Sequence, residues 1–188
     1  AARDPEALLL LVPSDHAVAD PEAFRAAVQR GSAAAEDGRI VTFGVAPTRP
    51  ETGYGWLETG EPMQDGVHRL NRFIEKPDAP RAAKLLGDER YLWNSGVFLA
   101  SAGTLVEAFR EHAAEIAEGV EAALKASVPD LGFIRLDPES WSDVPSVSID
   151  YAVMEKAANM SVVRFDGHWS DLGSWEAVWQ ESCRDASG

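Results

Sequence analysis

The sequence has little cysteine, few basic residues and no long apolar run. Its 188 residues include one cysteine, Cys183, so the chain can form no internal disulfide bond and no zinc site built from several cysteines. A reducing compartment is therefore permitted, and we expect a cytoplasmic protein. The longest apolar run, Leu8 to Pro13, is far shorter than the ~20 residues that a membrane-spanning helix requires.

Basic residues are outnumbered by acidic ones. The chain carries 17 Lys and Arg against 31 Asp and Glu, a formal net charge of −14. This balance argues against nucleic acid or an anionic membrane as the main partner, because both repel an acidic surface. The excess is consistent with a solvated surface that aids solubility. A phosphate ligand would then need a metal cation or a few local Lys and Arg side chains.

Several functional signatures are also missing. The start, Ala1 to Pro5, lacks the basic-then-apolar order of a signal peptide, and without an initiator Met we expect a chain that begins within a larger protein or was processed. No G-x-S-x-G stretch occurs, and Cys183 has no obvious histidine partner, so hydrolase chemistry is disfavoured. Zinc is disfavoured because no paired ligand spacing relates the histidines, which are His16, His68, His112 and His168.

Strand and helix patterns alternate along the chain. Leu8 to Val12 is a continuous apolar run, which predicts a strand buried on both faces of a parallel sheet. Asp20 and Pro21 give a cap and a first-turn proline, which predict a helix to about Gly31. Further strands are predicted over 39–46, 54–59, 67–75, 91–100 and 160–165, and helices over 77–86, 149–157 and 174–180, with a helical apolar stripe over 105–124 and a loop over 141–146. These elements predict an α/β domain over 1–188 with an open, mainly parallel sheet and flanking helices.

Two acids follow strands in this pattern. Asp15 comes just after the carboxyl end of the first predicted strand, where ligand crevices form in open α/β sheets. Asp171 lies between a strand and a helix. Mg²⁺ is usually held by one or two carboxylates together with substrate phosphates, so this pair suits a nucleotide enzyme. Spacing alone leaves two other roles open, a turn cap for Asp15 and a helix N-cap for Asp171.

Three further segments suit a sugar phosphate. In Glu75-Lys76 the acid can accept hydrogen bonds from sugar hydroxyls and the base can meet a phosphate, although without other context an exposed Glu-Lys pair is more often a solvated surface. Tyr54-Gly55-Trp56 and Trp93-Asn94-Ser95-Gly96 combine glycine, which allows close backbone approach, with aromatic or amide groups. Ordinary β-core is the alternative interpretation of both.

Taken together, six ordered motifs resemble the bacterial mannose-1-phosphate guanylyltransferases. Each motif is weak singly, but their order and rough spacing match over nearly the whole chain. The motifs are Val12-Pro13-Ser14-Asp15-His16, Pro47 to Gly55, Phe73-Ile74-Glu75-Lys76-Pro77, Trp93-Asn94-Ser95-Gly96, Ser148-Ile149-Asp150-Tyr151 and Trp169 to Trp175.

The resemblance implies a Rossmann-like fold and specific residue roles. Asp15 and Asp171 would bind Mg²⁺ and, with Lys76, form the catalytic set. Lys76 would contact the sugar phosphate. The implied sugar contacts are Glu75 and Asn94, the backbone of Gly55 and, less directly supported, Asp150.

The implied reaction transfers GMP from GTP to mannose 1-phosphate, giving GDP-mannose and pyrophosphate, so the expected partners are those two substrates. The family's amino-terminal strand and glycine-rich loop are absent here, as is its carboxy-terminal extension, so we expect a truncated domain with little activity of its own. The oligomeric state is open, and a homo-oligomer is compatible with the sequence. The alternatives are a uridylyl- or thymidylyltransferase, a non-catalytic sugar-phosphate-binding module and a purely structural fragment.

Overall fold

The computed structural model describes residues 3–182. Cys183, the residue disfavoured as a nucleophile, lies outside this range. Within it, no helix is both long enough and apolar enough to cross a lipid bilayer.

A six-stranded sheet in the order β1-β6-β3-β9-β5-β4 forms the centre of the fold, and β4 also pairs with β6. Two small antiparallel ladders lie outside it, β2 with β10 and β7 with β8. The strands are β1 Leu8–Leu11, β2 Ala17–Val18, β3 Ile40–Val45, β4 Trp56–Pro62, β5 Val67–Ile74, β6 Tyr91–Ser101, β7 Val128–Asp130, β8 Phe133–Arg135, β9 Met160–Phe165 and β10 Trp169–Ser170.

The predicted α/β class is confirmed, but the sheet is mixed rather than mainly parallel. β3 and β9 run parallel, whereas β6 is antiparallel to β1, β3 and β4, and β5 is antiparallel to β4 and β9. The pairing of β4 with both neighbours links β3, β9, β5, β4 and β6 in a cycle, with β1 outside it. An apolar pattern records burial but not strand direction. Direction follows from the connections, and the short turn over Gln64–Gly66 forces β4 and β5 into an antiparallel hairpin.

The first strand also differs from its prediction. β1 pairs with β6 in an antiparallel register, and among the described residues it has no strand on its other side. Leu9 is 42% exposed and Val12 56% exposed, so the apolar run is an edge strand here rather than one buried on both faces. A continuous apolar run predicts burial only when neighbouring strands cover it.

The helices are mostly where their caps predict them. The Asp20 side chain accepts hydrogen bonds from the backbone N–H groups of Glu22 and Ala23 at the start of α1. α1 continues past Gly31, because that glycine is a packing residue: a Cβ there would lie 3.0 Å from Val41 Cγ1. The helices are α1 Pro21–Glu36, α2 Ala79–Leu86, α3 Ala102–His112, α4 Ala114–Lys125, α5 Pro138–Ser142 and α6 Trp175–Glu181.

Three predicted segments differ from the structure in the extent of their helices. The apolar stripe over 105–124 belongs to two helices, because Ala113 leaves the helical region with φ −148° and ψ 52°. The predicted helix over 149–157 is a single π-helical turn, Asp150–Met154. The predicted loop over 141–146 overlaps the end of α5, whose first turn is capped by the Asp137 side chain.

Alternating side chains of the central strands build two cores on opposite faces of the sheet. In β3, Ile40 joins the core on the side of α3 and the π-helical turn, while Val41 and Phe43 join the core against α1. β9 divides in the same way, with Met160 on the first side and Phe165 on the second. A third core forms between α2 and the paired ends of β4, β5 and β6. The helices therefore cover both faces of the sheet.

Candidate functional site

The two predicted metal carboxylates lie beside one small ladder. In the β2–β10 pairing, Ala17 is opposite Ser170, with Asp15 two residues before the first and Asp171 directly after the second. The Asp15 side chain makes no hydrogen bond or ion pair with any described residue, which removes the turn-cap alternative. Asp171 is not the cap of α6 either, because the Ser174 side chain accepts the hydrogen bond from Ala177 N–H.

A tyrosine hydroxyl holds Asp171. Tyr54 Oη donates to Asp171 Oδ1 at 2.6 Å, and Gly173 N–H donates to the same oxygen at 3.1 Å. Burial and the hydrogen bond to Asp171 raise the pKa of Tyr54 well above its ordinary value. The phenol is therefore protonated at neutral pH and acts as a donor.

Aromatic rings surround this hydrogen bond. The Tyr54 ring makes edge contacts with Trp93 and Trp169, at centroid distances of 5.3 and 5.4 Å. The Arg49 guanidinium lies 5.2 Å from the Trp93 ring centroid, a cation–π distance. His16, next to Asp15, meets the edge of Trp169 at 5.3 Å. Packed rings thus support the side chain that reaches Asp171.

Asn94 is aimed by an irregularity in β6. The β3–β6 register shifts between the Thr42–Phe98 and Gly44–Asn94 pairs, and Gly96 within this stretch has φ +73°. Such bulges re-aim side chains, and glycine tolerates the positive φ. Asn94 Oδ1 accepts from Thr42 Oγ1 at 2.8 Å and from Gly96 N–H at 3.2 Å, so its amide nitrogen is left facing Asp150 Oδ1 at 3.4 Å.

Gly55 is buried where no side chain fits. An added Cβ would lie 2.8 Å from Glu75 Oε2 and 3.2 Å from Asn94 Cβ. The Gly55 carbonyl accepts a hydrogen bond from Asn94 N–H at 2.8 Å. A side chain at position 55 would displace the Glu75 carboxylate and crowd Asn94, so glycine lets the backbone approach both predicted sugar contacts.

Glu75, Lys76 and Asp150 form a charged group beside this glycine. Lys76 Nζ lies 3.2 Å from Glu75 Oε1, and the Glu75 side chain is 7% exposed, which rules out a fully solvated pair. Burial and the nearby Asp150 carboxylate raise the pKa of Glu75, with Lys76 acting in the opposite direction. Burial also raises the pKa of Asp150, which Lys76 opposes. Two crowded carboxylates with one ammonium group suit the recognition of several hydroxyls and a phosphate.

A cavity of about 750 Å³ lies near these residues but is not built from them. Its lining includes Arg49, Tyr54, Trp93 and Trp169, together with side chains of α6, and none of the predicted site residues. Tyr54 lines this cavity and is also hydrogen-bonded to Asp171. The polar groups of the site converge in the carboxylate and amide cluster rather than in the cavity.

The donor set fits a hard divalent cation. Asp15 and Asp171 offer carboxylate oxygens, and no described residue donates a hydrogen bond to Asp171 Oδ2. Within residues 3–182 there is no cluster of three or more His, Cys, Asp or Glu side chains suited to a metal. Mg²⁺ commonly takes one or two carboxylates and completes its shell with water and substrate phosphates, and a pair of this kind can serve it.

Comparison with known proteins defines the class. A profile described as nucleotidyl transferase matches residues 1–188, and the chain belongs to that family.

Individual relatives show which enzymes of this family the chain resembles. Over 183 residues the chain is 48% identical to a mannose-1-phosphate guanylyltransferase of Sinorhizobium fredii, covering 97% of this chain and 36% of that protein. It is 43% identical to the Escherichia coli mannose-1-phosphate guanylyltransferase, in an alignment that covers 96% of this chain and 39% of that protein. The crystal structure of mannose-1-phosphate geranyltransferase from Thermus thermophilus superposes with a TM-score of 0.81 at 37% identity. The superposition covers 95% of this chain and 50% of that one. The resemblance predicted from the motifs is confirmed, and the chain spans well under half the length of these two curated relatives.

The fold brings the predicted residues into two groups. Asp15 and Asp171 flank the β2–β10 ladder. The other five predicted residues lie near the paired ends of β4, β5 and β6 and are Gly55, Glu75, Lys76, Asn94 and Asp150. Sequence reasoning missed the Tyr54 side chain, which links the groups, and Thr42, which orients Asn94. The motif Tyr54-Gly55-Trp56 signalled a binding segment, but no local pattern indicates a partner 117 residues away.

Proposed function

We propose that the protein containing this chain is a mannose-1-phosphate guanylyltransferase, and that this chain supplies its sugar-binding and metal-binding side. The proposal is carried by one observation. Asp15 and Asp171 flank the β2–β10 ladder, and Tyr54-Gly55 connects Asp171 to the polar cluster around Glu75 and Asn94, which is of sugar-binding type. The names of the close relatives give the substrate class.

The proposed reaction is in-line attack by a phosphate oxygen of mannose 1-phosphate on the α-phosphorus of GTP, which breaks the bond to pyrophosphate. Glu75 and Asn94 orient the sugar through its hydroxyls, with Asp150 beside them, and Gly55 lets the backbone approach. Lys76 neutralises the sugar phosphate. Asp15 and Asp171 would hold Mg²⁺, which neutralises charge on the nucleotide phosphates when bound. Positioning and charge neutralisation account for most catalysis in such transfers.

The same proposal covers the localisation, partners and oligomeric state of the whole protein. The composition favours a cytoplasmic enzyme with no nucleic-acid or membrane partner, and a homo-oligomer is compatible with it. The glycine-rich segment that would hold GTP is not in the sequence, so we expect the 188-residue chain alone to have little or no transferase activity.

The test is to assay the natural protein at full length with mannose 1-phosphate, Mg²⁺ and GTP, and to measure GDP-mannose and pyrophosphate. Parallel reactions with UTP and dTTP identify the nucleotide, and preference for either one would replace guanylyl transfer with the corresponding activity. The 188-residue chain is assayed beside it, together with calorimetry using mannose 1-phosphate. Binding without turnover in the full-length protein would favour a non-catalytic module instead.

A further inference from the structure

Tyr54 connects the two groups of site residues. Its carbonyl accepts a hydrogen bond from Lys76 N–H at 3.2 Å, and its hydroxyl donates to Asp171 Oδ1 at 2.6 Å. The next residue, Gly55, accepts from Asn94 N–H. Tyr54 and Gly55 therefore contact the backbone of Lys76 and Asn94, the proposed phosphate and sugar contacts. Tyr54 also contacts the side chain of Asp171, the proposed metal ligand.

The direction of the Tyr54 hydrogen bond is fixed by Arg49. Arg49 Nη2 lies 3.4 Å from Tyr54 Oη and can only donate, so the phenol oxygen accepts from it. The single phenol proton is then directed to Asp171. Arg49 is itself held by Glu51 at 2.9 Å, and the Glu51 carbonyl accepts from Trp56 Nε1 at 2.9 Å. The donor is therefore oriented before any ligand binds.

This arrangement leaves one oxygen of Asp171 uncovered. Oδ1 accepts from both Tyr54 and Gly173, whereas no described residue donates to Oδ2. A Cβ at position 173 would lie 2.5 Å from Oδ2, so a side chain there would displace the carboxylate from this position. The carboxylate is held through one oxygen and open at the other.

We propose that Tyr54 is a positioning residue for nucleotidyl transfer. Its hydroxyl fixes the Asp171 carboxylate so that Oδ2 is available to Mg²⁺. Its backbone carbonyl, which accepts from Lys76 N–H, fixes the position of Lys76 relative to that carboxylate. This inference rests on the proposed function, since it takes Asp171 as a metal ligand. Groups that orient a metal ligand typically change metal affinity or activity by about 10- to 100-fold when removed.

The test is Tyr54→Phe in the natural protein at full length, which removes the hydroxyl and keeps the ring between Trp93 and Trp169. Mn²⁺ affinity is measured by electron paramagnetic resonance in the presence of GDP-mannose, alongside kcat, the KM for mannose 1-phosphate and the melting temperature. We expect Mn²⁺ affinity and kcat to fall about 10-fold, with the KM changed by less than about 2-fold. Tyr91→Phe is the matched control, because the Tyr91 hydroxyl also hydrogen-bonds a carboxylate, that of Glu58, at a distance from the site.

The outcomes separate this inference from the proposed function. Asp171→Asn is measured in parallel. If Asp171→Asn abolishes Mn²⁺ binding while Tyr54→Phe behaves like the wild type, the positioning role is overturned and the metal assignment stands. If Asp171→Asn leaves Mn²⁺ binding unchanged, the metal assignment fails and the inference with it. A Tyr54→Phe protein that loses thermal stability and shifts kcat and KM equally would indicate packing alone, and would also overturn the inference.

Discussion

The proposed metal side of the site, Asp15 and Asp171, and its proposed sugar side, around Glu75 and Asn94, are built differently. Glu75 and Asn94 lie at the ends of, or within, long central strands, and Asn94 is 8% exposed with its amide oxygen held by two donors. Asp15 and Asp171 instead flank a ladder of two residue pairs outside the main sheet, and Asp15 has no bonding partner among the described residues. The sugar side is thus preorganised by the core, while the metal side depends on short pairings and one tyrosine hydroxyl.

This difference has an energetic reason. A sugar offers neutral hydroxyls, which are recognised best by groups already fixed in direction, so the cost of ordering them is met during folding. A metal shared with nucleotide phosphates arrives with its own charge and ligands, and carboxylates that are left open can serve it. We therefore expect substitutions on the metal side to affect chemistry more than stability, and substitutions on the sugar side to affect both.

The largest expected effect is that of Asp171→Asn. If Asp171 is one of two Mg²⁺ ligands, as proposed, the substitution removes a charge that the cation requires. We then expect kcat/KM to fall by about 100-fold or more, equivalent to about 3 kcal/mol, with little change in melting temperature. Steady-state kinetics across a Mg²⁺ titration measures this.

Asp166→Asn is the control for that substitution. It makes the same charge change at an exposed residue that is ion-paired with Arg164 and lies close to Asp171 in the chain. Unchanged metal dependence in Asp171→Asn, or an equal loss in Asp166→Asn, would contradict the metal assignment.

A smaller effect, on both function and stability, is expected for Gly55→Ala. The added methyl group would lie 2.8 Å from Glu75 Oε2, and overpacking of this kind typically costs about 1–3 kcal/mol. Mannose 1-phosphate binding should weaken by about 10-fold, equivalent to about 1.4 kcal/mol, because Glu75 would be displaced from its place beside the sugar. The melting temperature should fall because of the overpacking. Calorimetry and thermal unfolding measure the two changes.

Gly87→Ala is the matched control, because a Cβ there meets Lys84 O at an ordinary 3.7 Å. If Gly55→Ala bound mannose 1-phosphate like the wild type, the close approach at Gly55 would have no role in sugar recognition. Loss of binding in Gly87→Ala to the same degree would point to a general effect on the fold.

Local chemistry predicted much of the fold. The strand over 160–165 was predicted with its observed bounds, and the caps at Asp20, Asp78 and Ser174 begin helices as their side chains indicate. Where prediction failed, the missing information was long-range. Gly31 has the appearance of a helix end, but its small size serves contact with Val41 on a neighbouring strand.

The site was predictable as a set of residues but not as an arrangement. The motifs gave Asp15, Gly55, Glu75, Asn94, Asp150 and Asp171, most of which follow or interrupt a strand, but they did not give Glu155, whose carboxylate accepts from Glu75 N–H. The two-residue strands β2 and β10 are too short to leave a periodic pattern, and their pairing places Asp15 and Asp171 beside the same ladder. The hydroxyl of Tyr54 is likewise visible only in three dimensions, since its acceptor belongs to the opposite end of the chain.

The smallest expected effect is a gain in stability on the sugar side. Burial raises the pKa of Asp150, so the folded protein binds the Asp150 proton more tightly than the unfolded chain does, and stability falls as pH rises through the raised pKa. Asp150→Asn removes this penalty. We expect its melting temperature to exceed that of the wild type by about 3 °C near pH 7, for a gain of about 1 kcal/mol, and the difference to vanish towards pH 4.

Thermal unfolding from pH 4 to pH 8 measures this difference, and Asp143→Asn, at an exposed acid, serves as the control. The same Asp150→Asn protein should bind mannose 1-phosphate more weakly if Asp150 contacts the sugar, so stability and affinity should move in opposite directions. A stability difference that is independent of pH would mean that the Asp150 charge is not the cause. A gain in stability with unchanged affinity would mean that the buried carboxylate has no part in sugar recognition, and the sugar side would then consist of Gly55, Glu75 and Asn94.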